Sequence, residues 1–276
     1  MSNLSERKKG RGYRRTGAAL QAVIGGLLVL AAPVLAQAAP AQGATRVLSQ
    51  RLPVDRHEVA LTFDDGPGVS TAKILALLRR HHAHATFFVL GSELERHPGL
   101  AVAANGAGDE IEDHGMTHHA LPKLGRARLL YELRAAADLI QELTGRRPVF
   151  VRPPYGSTDG RVIAAARSLG MQVVLWTVDT RDWQNPGAAA IARRVLNNVQ
   201  PGEIVLMHDG GGARTQTVKA VQAILDGLDA KGYTAVTLSR LVRDAAPPTV
   251  KAPSAPALHR LPRSLQVRVY GGPCGA

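Results

Sequence analysis

Cysteine is almost missing from this chain. Cys274 stands alone among 276 residues, so no disulfide can form within the molecule, and a single terminal thiol reads as incidental. Aromatic residues are scarce too, at 4%, and they are not interleaved with lysine and arginine along the core. That excludes the stacking platforms and basic stripes of a nucleic-acid binder, despite a formal charge of +12. The charge is placed unevenly. Residues 1–38 carry a net +5, residues 247–276 carry four basic side chains and no acid, and +3 remains for residues 39–246.

What is present fits a globular chain. Hydrophobic residues make up 45%, with 28 Gly and 17 Pro, as expected for one α/β domain of about 200 residues plus tails. The basic start, the uncharged apolar run Gly17–Ala36 and the small residues of Ala36-Gln37-Ala38 read as an export signal over 1–38. An uncleaved anchor is the alternative, since 20 uncharged residues can span a bilayer. Either way the domain is expected outside the cytoplasm, secreted or associated with the cell envelope, with membrane contact only through that signal. Residues 39–56 read as an Ala/Pro/Gln-rich linker. Residues 246–276 read as a Pro-rich basic tail suited to tethering on an anionic cell wall.

Between them, residues 57–245 alternate strand and helix patterns. Strands are predicted at 58–63, 85–90, 110–112, 149–152, 172–178, 203–207 and 233–238. Helices are predicted at 71–82, 99–106, 126–143 (ending at Gly145), 160–168, 187–199, 215–230 and 239–244. This alternation predicts a mostly parallel sheet with helices outside it, an open sheet or a barrel. Ligands of both gather where strands end.

The polar clusters fall at those ends. Asp64-Asp65 follows the first strand, and adjacent carboxylates repel unless a cation or an arginine intervenes. His114 and His118, at i and i+4, are expected on one side of a helical turn, aimed at a common cation. Two histidines with one carboxylate, Asp65, leave open positions, as a catalytic metal site requires. Arg152-Pro153-Pro154-Tyr155-Gly156 is a rigid turn whose first backbone donor after the prolines is Tyr155 N–H. Asp182-Trp183 adds a carboxylate and a flat wall. His208 ends a buried strand, where a nearby carboxylate would keep it protonated as an acid. His81, His82, His84 and His97 read as solvated surface.

Taken in order, TFDDGP, H-x3-H, RPPYG, D-x-x-D-W and L-x-H resemble the polysaccharide deacetylases, carbohydrate esterase family 4 or NodB-homology domain, over about residues 57–245. The resemblance implies a distorted (β/α) barrel and a divalent ion, usually Zn2+, with Co2+ as another candidate. It implies hydrolysis of acetyl groups from an N-acetylglucosamine polymer or oligosaccharide of peptidoglycan or chitin type. By motif position, Asp65, His114 and His118 would hold the metal and Asp64 would be the base, paired with Arg152. Tyr155 N–H would stabilise the oxyanion, and His208 would be the acid oriented by Asp182. Trp183 and Leu206 would wall the acetyl methyl. The chain departs from the family pattern at Asp113, where Asn is more frequent, and at His119, where Pro is frequent. Two rivals remain: an O-acetyl esterase acting on acetylxylan, and an inactive carbohydrate-binding member.

Overall fold

The computed structural model describes residues 47–197 and 199–245. The predicted export signal, the first part of the predicted linker, the basic tail and Cys274 lie outside the described residues. Eight strands form one sheet: β1 (Glu58–Gly66), β2 (Thr86–Val89), β3 (Glu110–Asp113), β4 (Phe150–Val151), β5 (Gln172–Val173), β6 (Val178–Asp179), β7 (Ile204–His208) and β8 (Thr234–Val236). Their order is β5-β4-β3-β2-β1-β7-β6, with β8 pairing to β1, and every pairing is parallel.

The ends of that order explain the shape. β5 and β6 are at opposite ends of the strand order, yet only residues 174–177 separate them. A flat sheet of seven strands would set its outer strands roughly 29 Å apart at about 4.8 Å per neighbour. Five peptide steps reach at most about 18 Å. The sheet therefore curls into the distorted barrel, and the single predicted strand 172–178 is two strands broken by Leu175-Trp176. A run of β-forming residues does not reveal such a break, because residues on either side of it have the same propensity.

Around the sheet lie α1 (Thr71–Arg80), α2 (Gly91–Arg96), α3 (Pro98–Gly106), α4 (Arg126–Thr144), α5 (Gly160–Ser168), α6 (Ala188–Leu196), α7 (Thr215–Ala230) and α8 (Leu238–Asp244). Of these, α2 falls outside the predicted helices: one and a half turns are too short to show a period. β1 is buried along its whole length, as a central parallel strand covered on both faces must be. In α7, Ala220, Val221, Ile224, Leu225 and Leu228 form one apolar stripe packed into the core shared with β1 and β7. Gly145, at φ 71°, ends α4 as the pattern predicts. No helix among the described residues is long and apolar enough to cross a membrane.

The described part of the predicted linker is held against the domain. Leu48 bridges to Val174, Leu52 N–H donates to Gly202 O at 2.9 Å, and Val54 is buried. Gly202 has φ +86°, and a Cβ there would stand 1.8 Å from Leu52 O. Gly202→Ala is therefore expected to destabilise the fold by about 1–3 kcal/mol through strain at this left-handed position and by displacing residues 50–54. Urea unfolding of the two proteins checks it.

Candidate active site

β1 carries two carboxylates that diverge because the backbone is irregular there. Against β2, Asp64 pairs with Phe88 and Gly66 with Val89, so Asp65 is the extra residue of a bulge, at φ 71°. Both aspartates thus belong to the strand and do not follow it. The next residue must be glycine, since a Cβ on Gly66 would meet Asp209 Oδ2 at 2.3 Å. Asp209 accepts from Thr71 Oγ1 at 2.5 Å, and burial pushes its carboxyl up to about 7.

Asp64 turns toward Arg152, which is 0% exposed. Arg152 NH1 donates to Asp64 Oδ1 and to Thr62 Oγ1, both at 2.7 Å, and NH2 donates to Leu175 O at 2.9 Å. Its guanidinium lies 4.1 Å from the centre of the Phe88 ring. Burial lowers the Arg152 pKa and the Asp64 charge opposes that shift. Charge and counter-charge enter the interior together, as a buried ion must.

Asp65 turns the other way. Its Oδ1 lies 3.3 Å from His114 Nε2 and 3.1 Å from His118 Nε2, yet it is buried and makes no aligned hydrogen bond. The reason is visible at His114, whose Nδ1 lies 2.6 Å from Arg152 O. A carbonyl accepts only, so Nδ1 carries the proton and Nε2 of the neutral ring offers a lone pair. Burial raises the Asp65 pKa; with no ion bound, protonated imidazoles of His114 and His118 override it and hold the carboxyl well below the usual range. Ligand atoms of Asp65, His114 and His118 all lie within 4.8 Å of one another. Acceptors converging in this way fit one divalent cation with N/O preference.

The histidine pair is not on a helical turn. Residues 114–118 form a bent loop, with Gly115 at φ 85° and His118 at φ 59°. The rings converge, 5.3 Å between centroids, because those two left-handed residues reverse the chain. A spacing of four suits a helix, but it does not require one. His119 stays at the surface, 2.6 Å from Thr117 Oγ1. Asp113 is fully buried and accepts from Gly115 N–H at 2.6 Å.

Across the cleft, His208 is in register with Asp64 on the paired strands β7 and β1. Its Nδ1 lies 2.7 Å from Asp182 Oδ1, and its backbone N–H donates to Asp182 Oδ2 at 2.9 Å. Thr217 Oγ1 donates to the same oxygen at 2.8 Å. Burial lowers the His208 pKa, but the bond to Asp182 overrides it and raises the value above 6.5. Burial raises the Asp182 pKa, and His208 and Thr217 bring it below 3.8.

A cavity of about 410 Å³ joins these groups, and Tyr155, Trp183 and Leu206 all line it. Tyr155 is at φ 61° and 71% exposed, with its ring edge-on to His118. All ten predicted site residues therefore meet in or directly behind one cleft. The cleft also has walls that the sequence did not single out, Trp176 and Arg214. Trp176 hid inside an apparent strand, though Gly156, where a Cβ would sit 2.9 Å from its ring, marks the close approach. A second cavity of about 350 Å³, between α4 and α5, is lined by Arg126, Leu129, Arg161 and Ser168 and holds no carboxylate or imidazole.

Comparison with known proteins agrees with this geometry. The family model described as polysaccharide deacetylase matches residues 51–174. A peptidoglycan-N-acetylglucosamine deacetylase of Bacillus cereus is 37% identical over 202 residues, 72% of this chain and 94% of the relative. The chain belongs to the polysaccharide deacetylase family. A chitooligosaccharide deacetylase of Sinorhizobium fredii is 36% identical to this deacetylase, over 63% of this chain and 87% of the relative. The solved structure of the peptidoglycan deacetylase PdaC from Bacillus subtilis superposes with a TM-score of 0.64 at 35% identity, covering 69% of this chain and 92% of that one.

The His208–Asp182 pair has a measurable signature in the deacetylase freed of divalent ions. His208, raised, contributes its full stability below 6.5 and loses it as pH climbs through the folded value. Asp182, lowered, contributes above 3.8 and loses it as pH falls through its own folded value. NMR titration is expected to place the His208 ring above 6.5 in the wild type and lower in Asp182→Asn, with the alkaline loss of stability flattened in the variant.

Proposed function

We propose that this deacetylase hydrolyses the N-acetyl groups of N-acetylglucosamine-containing glycans, of peptidoglycan or chitin type, using one divalent transition-metal ion held by Asp65, His114 and His118. The observation that carries this reading is the convergence of three acceptor atoms opposite an imidazole already paired to a carboxylate. Zn2+ suits two imidazoles and one carboxylate with positions left open; Co2+ suits them as well. The relatives described above act on peptidoglycan or on chitooligosaccharide, which supports the substrate class.

When bound, the ion supplies Lewis acidity, polarising the acetyl carbonyl and making water a nucleophile near neutral pH. The protein's residues do the rest. Asp64 is the base: Arg152 occupies its Oδ1, leaving Oδ2 to take a proton from the attacking water. Tyr155 N–H, fixed by the Pro153-Pro154 turn, donates to the oxygen that gains charge. His208, protonated and oriented by Asp182, gives a proton to the departing amine nitrogen. Asp182 favours the protonated form of the acid, His208, while Arg152 holds the base, Asp64, in place. Trp183 and Leu206 close an apolar wall around the acetyl methyl. The predicted export signal and basic tail support a place in the cell envelope, with the tail on the anionic wall.

Asp64→Asn is expected to lower kcat by roughly 10²–10⁴ while zinc stoichiometry stays at one per chain; full activity in that variant would overturn the base assignment. His114→Ala is expected to lose the metal itself. Acetate release from chitooligosaccharides and peptidoglycan, abolished by chelator and restored by Zn2+, tests the substrate class. Release from acetylxylan alone would favour the O-acetyl esterase, and tight glycan binding with no acetate would favour an inactive member.

A further inference from the structure

A carboxylate sits where the pattern of α4 calls for an apolar side chain. Glu132 is on the stripe formed by Leu129, Leu133, Ala136 and Ile140, and its exposure is 0%. Burying a charge there costs stability, and a leucine of similar volume would serve packing better. The carboxylate reaches across to the loop that carries the two histidines. Its Oε2 accepts from Thr117 N–H at 2.8 Å, and its Oε1 accepts from Thr117 Oγ1 at 2.8 Å and Arg128 NH2 at 2.7 Å.

The other hydrogen bonds from this loop to the rest of the domain fall earlier; later contacts are that of Thr117 Oγ1 with surface His119 and the edge-on contact of the His118 ring with Tyr155. Gly91 N–H donates to Gly115 O at 3.0 Å, and Ser92 N–H donates to Met116 O at 2.9 Å. Gly115 N–H donates to Asp113 Oδ1, and His114 is fixed through Arg152 O. The backbone of His118 makes no hydrogen bond among the described residues, and it adopts the left-handed φ of 59°. What fixes the chain on entry to His118 is therefore the double grip of Glu132 on Thr117.

We infer that Glu132 is a positioning residue: by pinning Thr117 it aims the His118 imidazole at Asp65 and His114, and so sets the affinity of the site for its divalent ion. The inference rests on the metal-site reading above. It assigns to α4, an outer helix with no residue in the cleft lining, control over the ligand held least firmly by the backbone.

Two variants of the full chain test it. Glu132→Gln removes the charge and turns an amide donor toward one of the two Thr117 donors. Thr117→Val deletes the hydroxyl contacts to Glu132 and to surface His119 and keeps the backbone bond and the charge. The readouts are zinc affinity, by competition with a chelating dye, and the unfolding midpoint with and without Zn2+. Glu132→Gln is expected to bind zinc about 10–100-fold more weakly, with a smaller zinc-induced rise in midpoint and little change in the metal-free midpoint. Thr117→Val is expected to fall between it and the wild type. Wild-type zinc affinity in both variants would overturn the inference alone. If Glu132→Gln does not fold, unchanged affinity in Thr117→Val overturns it. A wild-type chain that binds no divalent ion would instead sink the metal site, and this inference with it.

Discussion

One buried guanidinium ties the two sides of the cleft together. Arg152 links β4 to β1 through Thr62 and Asp64, and reaches Leu175 at the break between β5 and β6. Its backbone works as hard as its side chain: the N–H donates to Asp113 O, and the carbonyl receives the His114 ring. A single residue therefore fixes the proposed base, the tautomer of a metal-ligand candidate and the seam of the curled sheet. Lysine could not replace it, since a point charge cannot make three divergent contacts from a fixed plane. Burying that plane without Asp64 would leave an uncompensated cation in the interior, which typically costs about 3–5 kcal/mol.

Around this fixed point the backbone carries strain. Asp65, His118 and Tyr155 all take left-handed φ values, and Arg181 and Asn185 bracket Asp182–Gln184 in the same way. Side chains other than glycine adopt such angles at a cost of about 1–3 kcal/mol each. They persist where the surroundings over-determine them, and here three of them set groups that face the cleft. Each reverses the chain in one residue, so that a side chain meets partners a smooth strand or helix would carry past it.

Much of this arrangement was legible in the sequence. Parallel strands buried on both faces leave long apolar runs, and polar residues that interrupt those runs at their ends stand out: DD after VALTF, RPPYG after VFV, and H after IVLM. Those clusters located the cleft. The convergence of Asp65, His114 and His118 was legible as well, but the conformation bringing it about was not, since a spacing of four is shared by helices and by loops with two reversals. Trp176 and Glu132 escaped for a common reason. One lies in a stretch with strand composition and the other in a helix with an ordinary share of acids, so local pattern gave neither a distinct signal. Only the register of elements distant in sequence exposes them.

That register has an evolutionary consequence. Asp64 and His208 are opposite one another on hydrogen-bonded neighbours, β1 and β7, and the gap between parallel strands is a property of the peptide backbone itself. In the mechanism proposed above, the span between base and acid is thus inherited from sheet construction and does not depend on loop length or composition. Loop residues around the cleft other than Arg152–Gly156 and Asp182 can be rebuilt to greet a different sugar chain while these two groups keep their spacing. In such a scaffold, new specificity can be acquired without retuning the reaction.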